Sequence, residues 1–407
     1  MKQLLFATAW IALLNFVNAE IPIGIYDFGN HRQLSVAEIE GHSVVIFEGQ
    51  IRGLRPVTPN TFEYGNTFGS FDRIEGHLIF SDNECVWETN GVRQQGVRIP
   101  LLEKPVSFKN EKTNLSGLLI LPTGEGPFPS IVFTHGSGPE TREASRALAY
   151  LVAANGIAAL IYDKRGTGAS SGKEWQDSFE NYAGDAIAAA EFLRKQPSID
   201  SKRIGIYGHS QGGWIVPIAL SKSGAFSFGI ISAANAVSPV QQTLDAGDEE
   251  CRLLGMDEAS ISKLHAFRKI KYEVSAGIKD VREYKENFLP AAEKEGWFKL
   301  TGGQLPEGLF WKKNGFYDPA AALQSIRCPL LVIYAEFDIS TNTANNLPLM
   351  KSLLQTPEVK YAVFKANHWM MEVDSKGFAK KQLPFITRFA DGYLETLVRW
   401  TQSAVTK

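Results

Sequence analysis

The stretch Arg203-Ile204-Gly205-Ile206-Tyr207-Gly208-His209-Ser210-Gln211-Gly212-Gly213-Trp214-Ile215-Val216-Pro217-Ile218-Ala219-Leu220 decides the fold. An apolar run leads into Gly208-His209-Ser210-Gln211-Gly212, and a helix-like run leaves it: a strand, a sharp turn carrying a serine, and a helix. A serine on such a turn has strained backbone angles. The two outer glycines are required because bulkier side chains there would collide with the neighbouring strand and helix. Ser210 is thereby expected to present its hydroxyl at the edge of a sheet. G-x-S-x-G alone is common in a chain with 36 glycines, so the reading depends on its flanks.

Working outward from Lys104, continuous apolar runs alternate with helical stretches. A hairpin is predicted from Val106–Lys109 and Leu115–Leu121. It is followed by a strand over Ser130–Thr134, a helix near Glu143–Asn155, a strand at Ile157–Tyr162 and a helix near Phe179–Gln196. After the serine turn come strands at Phe228–Ala233, Pro329–Tyr334 and Val359–Phe364, and a helix over about Pro384–Ser403. Apolar runs without alternation are strands buried on both faces, so a mostly parallel α/β sheet follows. Strand signals stop between about Ser238 and Gln324, where charged, helically spaced sequence reads as a helical insertion over the sheet; an unstructured loop of that length is implausible. Its aromatic residues Trp297, Phe298, Phe310 and Trp311 read mainly as core, and the substrate pocket is expected between this cap and the sheet.

Upstream, residues 20–103 contain short alternating runs punctuated by Gly, Asn and Asp, among them Ser43–Phe47, Thr61–Tyr64, Gly76–Phe80 and Cys85–Glu88. These predict a small N-terminal antiparallel β domain. It has no nucleophile and base pair, and is left with three roles: binding a partner, forming a homo-oligomer contact, or bracing the sheet. Residues 1–19 differ again. Lys2, an apolar stretch from Leu4 to Leu14, and Val17-Asn18-Ala19 have the layout of a secretory signal cut after Ala19. The apolar segment is shorter than the roughly 20 residues of a membrane span. The chain is therefore expected to be exported to the periplasm or outside the cell, with no stable membrane span after processing.

Composition excludes several classes. The chain has 407 residues, 44% hydrophobic and 21% charged, with a net charge of −2, and no basic stripe suits nucleic acid. Cys85, Cys251 and Cys328 are too few and scattered for a disulfide framework or a structural zinc site. No His-Glu-x-x-His cluster supports a metal hydrolase, and neither metal nor organic cofactor is expected.

A serine hydroxyl needs a base within hydrogen-bond reach and an acid to orient that base. Asp338, in Ala335-Glu336-Phe337-Asp338, and His368, in Lys365-Ala366-Asn367-His368, each follow a late sheet strand. Chain order is then Ser210, Asp338, His368. Glu336 competes for the acid position. Asp163 reads as a turn-fixing carboxylate, Asp374 as surface, His209 as wall or packing, and His135 as structural. Acyl transfer also needs donors for an oxyanion. The amide of Gln211 is one; the other is assigned to Ser137 in His135-Gly136-Ser137-Gly138-Pro139, where glycines permit close approach.

These motifs, with Asp163-Lys164-Arg165-Gly166-Thr167-Gly168-Ala169-Ser170, resemble the α/β-hydrolase superfamily, within its dienelactone-hydrolase-like and acyl-peptidase-like esterases. The resemblance covers about Lys104 to the C-terminus except the insertion, which resembles a cap domain. It implies serine hydrolysis of small-molecule carboxylic esters through an acyl-enzyme. A serine peptidase or amidase, an acyltransferase and an inactive binding protein are the alternatives. The loop Thr167–Gly172 superficially resembles a reductase nucleotide loop, but Glu174 stands where a glycine is needed and no helical Tyr-x-x-x-Lys follows.

Overall fold

The computed structural model describes residues 20–30, 32–39, 41–172, 177–375 and 386–406. The signal reading of residues 1–19 lies outside them. Two eight-stranded sheets organise the chain.

The first is a closed antiparallel barrel of β1 (Gly24–Asp27), β2 (Gln33–Ile39), β3 (His42–Phe47), β4 (Gln50–Thr58), β5 (Thr61–Tyr64), β6 (Gly76–Phe80), β7 (Glu84–Thr89) and β8 (Val92–Arg98). Tight turns set its register. Asn90-Gly91, both at positive φ, joins β7 to β8 where Thr89 pairs with Val92, as a two-residue hairpin demands. Pairing of Tyr26 with Arg98 closes the barrel. Its interior is filled with Tyr26, Phe47, Phe62, Tyr64, Phe80 and Trp87, the last stacked 4.3 Å from Tyr64, so it is a packed core and not a ligand cup. Cys85 lies in that core, where burial pushes its thiol up to about 12. All three cysteines are free.

The sequence reading of β3 as a half-buried strand is incomplete. Val45 and Phe47 face the barrel core, while Val44 and Ile46 pack with the second domain, so Val44-Val45-Ile46-Phe47 is buried on both faces.

The second sheet has the order β16-β15-β14-β13-β11-β12-β10-β9. It contains β9 (Leu102–Asn110), β10 (Thr113–Leu121), β11 (Phe128–Phe133), β12 (Ala158–Tyr162), β13 (Ile199–His209), β14 (Phe228–Ser232), β15 (Leu330–Ala335) and β16 (Val359–Phe364). The β9–β10 and β10–β12 pairs are antiparallel and the remaining pairs parallel. Helices cover both faces. Helices α2 (Phe179–Leu193) and α3 (Gly212–Lys222) share one apolar cluster, and α1 (Glu143–Ala154) and the C-terminal helix Tyr393–Thr406 share the other. That last helix starts at Tyr393, later than expected. Residues 386–390 instead form an extended strap, and Pro384 lies outside the described residues.

The insertion is helical, with α4 (Pro239–Leu253), α5 (Glu258–Ser275) and shorter turns ending in a helix at Ala320–Ser325. It holds a small core of its own around Ile261, Leu264, Phe267, Tyr284 and Trp297. Leu254, part of its apolar pattern, is exposed just past the end of α4.

The strand order places the site. β11 lies between β12 and β13, so the chain leaves β11 toward one side of the sheet and later returns on the other. Loops after β11 and β13 consequently face one another across a crevice at the carboxyl ends of the strands, where open α/β sheets bind ligands.

Candidate active site

Ser210 directly follows β13 with φ of +55°, a conformation an L-residue adopts only under local compulsion. The compulsion is visible in the glycines. A Cβ on Gly208 would lie 2.5 Å from the carbonyl oxygen of Gly212, and one on Gly212 would lie 2.8 Å from Thr134 Oγ1. The turn is pinned by Ser210 N–H donating to Ser232 O at 3.0 Å and Gly213 N–H donating to Ser210 O at 2.8 Å.

The structure brings Ser210, His368 and Asp338 together. His368 Nε2 is 2.9 Å from Ser210 Oγ, and His368 Nδ1 is 2.8 Å from Asp338 Oδ2. With a carboxylate beside it, Nδ1 carries the proton, leaving Nε2 to accept from the serine hydroxyl. The Asp338 side chain is fully buried, and its Oδ1 accepts the Thr341 N–H at 2.9 Å. Burial raises its pKa, but the adjoining imidazole and the Thr341 donors outweigh that, so the carboxyl sits below its ordinary value and stays ionised. Glu336, the competing acid, is exposed, as is Asp374.

Two further histidines approach the site. His209 Nδ1 lies 3.3 Å from Ser232 Oγ, and its ring is 5.0 Å from that of His368. Burial, reinforced by His368, pushes His209 down to about 3, so it remains a neutral wall. His135 Nε2–H donates to Tyr162 O at 2.5 Å; burial and then Lys164 push it down to about 3 as well.

Ser137 lines the cavity next to Ser210, and Gln211 is buried at the start of α3. Lys164 joins the two loops, a role the sequence reading missed. Its side chain is almost fully buried, and Nζ donates to Gly136 O at 2.8 Å, Gly138 O at 2.9 Å and Gln211 Oε1 at 3.1 Å. The ammonium thus holds the carbonyls on either side of Ser137 and the side chain of Gln211. Burial lowers Lys164 to about 8, with Glu140 opposing. Asp163 fixes the turn as read, accepting the N–H groups of Arg142 and Ala169, each at 2.9 Å. Arg165 forms a two-pronged pair with buried Asp185, at 2.6 and 2.8 Å.

A cavity of about 1380 Å³ opens at Ser210, Ser137 and His368. Its position corrects the expectation of a pocket between cap and sheet. Of the insertion, only Gln242 reaches it, while the N-terminal barrel and α1 form much of its wall. The cap aromatics pack elsewhere: Trp297 on Phe267, Phe310 on Phe179, Trp311 on Tyr272. The Oδ1 atom of Asn235 is buried beside the site without a hydrogen-bond partner, so it can accept from a bound molecule. Among the described residues no cluster of three or more His, Cys, Asp or Glu could hold a metal ion, and no helix is long and apolar enough to cross a membrane.

Comparison with known proteins found similarities in sequence and in structure. Residues 126–280 match the family model described as serine aminopeptidase, S33. The chain is 24% identical over 342 residues to esterase EstD of Thermotoga maritima, covering 80% of this chain and 77% of that protein. It is 34% identical over 116 residues to the quorum-quenching protein AidA of Acinetobacter baumannii, covering 28% of this chain and 38% of that one. Among solved structures, the Pyrococcus furiosus esterase Pf2001 aligns with a TM-score of 0.47 at 16% identity, over 75% of this chain and 91% of that one. With a mostly parallel sheet and a serine on the turn after a central strand, the chain has the α/β-hydrolase fold, and it is similar over residues 126–280 to the serine aminopeptidase, S33, family.

Proposed function

We propose that the protein is a serine hydrolase that cleaves carboxylic esters through an acyl-enzyme. The observation that carries this reading is the unbroken hydrogen-bonded chain from Ser210 Oγ through His368 to buried Asp338, opening onto a cavity. His368 Nε2 takes the Ser210 proton as Oγ attacks the ester carbonyl carbon. The resulting oxyanion is held by the amides of Ser137 and Gln211. His368 then returns the proton to the leaving alcohol as the C–O bond breaks. A water attacks the acyl-serine, giving its proton to His368, and release of the acid restores Ser210. Asp338, kept ionised, stabilises the imidazolium that forms twice in each cycle.

Neutral His209 suits this scheme, because a second imidazolium beside His368 would oppose its protonation. The esterase name of EstD, which covers most of the chain, supports an ester over an amide. Replacing Ser210 by Ala should lower kcat by about 10⁶, as in another serine hydrolase. Near-normal turnover of p-nitrophenyl acetate by that variant would refute the assignment. A wild-type protein cleaving aminoacyl anilides far faster than esters would move the reading to a peptidase. Export is part of the proposal too. Its check is the N-terminal residue of the mature protein, expected to be Glu20.

A further inference from the structure

We infer that the crevice between the N-terminal barrel and α1 binds a long apolar arm of the substrate, so that the barrel is one wall of the active site and the preferred substrates are lipophilic esters. The inference rests on the ester-hydrolase reading of Ser210 and concerns what that site accepts. A single cavity runs from Ser210 and His368 to the far end of α1, where Asn155 is. The twelve residues of α1 span about 18 Å, which sets the depth of the crevice.

Its walls carry both apolar and charged side chains, with the apolar ones gathered in one strip. Ala144, Leu148 and Leu151 lie on one face of α1 at helical spacing and point into the cavity, while Ala149, Val152 and Ala153 on the other face are buried against the sheet. Ile39 of the barrel and Val398 of the C-terminal helix line the cavity with them, backed by fully buried Ile25. Leu148 and Leu151 are packed against the apolar cluster but only partly buried, so part of this face stays open to the cavity. Polar groups flank this apolar strip, among them Ser35 and Glu38 of β2, Glu143 of α1 and Glu395 of the C-terminal helix. The far end is closed by polar contacts, with Asn155 Nδ2 donating to Gln33 Oε1 at 3.1 Å and Gln402 Nε2 donating to Asn155 O at 3.2 Å.

Two other occupants fit less well. An anionic arm would need an unpaired cation, but the three guanidinium groups lining the cavity already have partners: Arg32 with Glu48 at 2.6 Å, Arg399 with Glu395 at 2.6 Å and Arg388 with Asp391 at 3.3 Å. An extended peptide would seek a free strand edge to pair with, and the closed barrel offers none. Hydrocarbon needs only apolar surface and length, and both are present.

The experiment uses the full chain and two substrate series, p-nitrophenyl esters with acyl groups from acetyl to dodecanoyl and acetate esters of alcohols from ethanol to dodecanol. In one series kcat/KM should climb with chain length, by up to about fourfold per methylene before levelling off. The series that climbs identifies the arm as acyl or alcohol. Ile39→Trp narrows the groove from the barrel side and Leu151→Trp from the helix side. Each should remove the climb and leave acetate turnover within about twofold of wild type. A flat profile in both series, a climb that survives both substitutions, or an equal loss on short and long esters would overturn the proposal. A second measurement is independent of turnover. Calorimetric binding of p-nitrophenyl decanoate to the Ser210→Ala protein should weaken at least tenfold with either added tryptophan. Failure of wild type to hydrolyse any ester, with that binding pattern intact, would count against the role of Ser210 and leave the groove standing.

Discussion

Both sheets have eight strands among the described residues, yet only one gathers the groups proposed to react. In the open sheet the strands are parallel around β11 and β13, so all their carboxyl ends emerge on one edge, and the loops after β11, β13, β15 and β16 deliver Ser137, Ser210, Asp338 and His368 to one crevice. The barrel is closed and antiparallel. Its strand ends are divided between two rims and its interior is filled with rings, leaving only its outer surface for use. Direction of pairing, more than the number of strands, determines whether a sheet concentrates functional groups.

The barrel is nevertheless wired to the reactive edge. Residues 386–390 run as a strap between the two. Ile51 N–H donates to Thr387 O at 2.7 Å and Phe389 N–H to Gly49 O at 2.8 Å; on the other side Ala390 N–H donates to Met370 O at 2.9 Å. Met370, at φ +60°, is two residues beyond His368. The histidine loop is thus held from the barrel side through one intervening segment.

Substitutions can sharpen or break this contrast. After Ser210→Ala, the largest expected loss is from Asp338→Asn, about 10⁴ in kcat, because an amide presents the wrong hydrogen-bonding partner to His368 Nδ1. Steady-state kinetics on a short ester would show it, and a loss below tenfold would transfer the acid role elsewhere. Lys164→Met removes the cation tying the Ser137 and Gln211 loops together without removing bulk. A drop of about 10² in kcat with KM little changed is expected, in line with the cost of misplacing reacting groups by about 1 Å. The same variant tests a pH effect. Lys164 is protonated below its value of about 8 and loses its charge above it, so wild-type kcat should fall as pH rises through about 8. In Lys164→Met that alkaline limb should vanish.

The last pair of tests sets like against like. Asp185→Ala in the open-sheet domain removes the two-pronged partner of buried Arg165, leaving Asp177 at 2.8 Å, and should cost about 3 kcal/mol in denaturant unfolding. Arg93→Ala breaks the exposed cross-strand pair with Glu88 on the barrel, 2.9 Å apart, and should cost less than about 1 kcal/mol with no change in ester turnover. Equal costs would mean that burial does not separate the two domains as described.

Much of the open sheet was legible because each of its signals is local. A fully apolar strand, a G-x-S-x-G turn and a helix each declare themselves within about ten residues, and the order of Ser210, Asp338 and His368 follows from which strand each one trails. Asp163 was legible for the same reason, since it bonds within its own turn and to the adjoining helix start. Lys164 was not. Its partners Gly136, Gly138 and Gln211 are 26 to 47 residues away, and nothing in its neighbours shows that Nζ is buried among carbonyls. The C-terminal helix was predicted to start early because Thr387–Ala390 has no helical contradiction in its sequence; its extended form is set by hydrogen bonds to Gly49 and Ile51, far upstream.

The sequence by itself therefore determined the α/β class, the antiparallel nature of the N-terminal domain, the helical insertion and the serine turn, because period, turn chemistry and steric demand act over a few residues. Tertiary structure decided that the barrel closes, that both faces of β3 are buried, that Lys164 bridges two loops, and that the cavity runs along α1 toward the barrel instead of under the cap. Those features depend on surfaces brought together from distant parts of the chain, and apolar side chains such as Leu151 and Ile39 look alike in sequence whether they meet each other or a substrate.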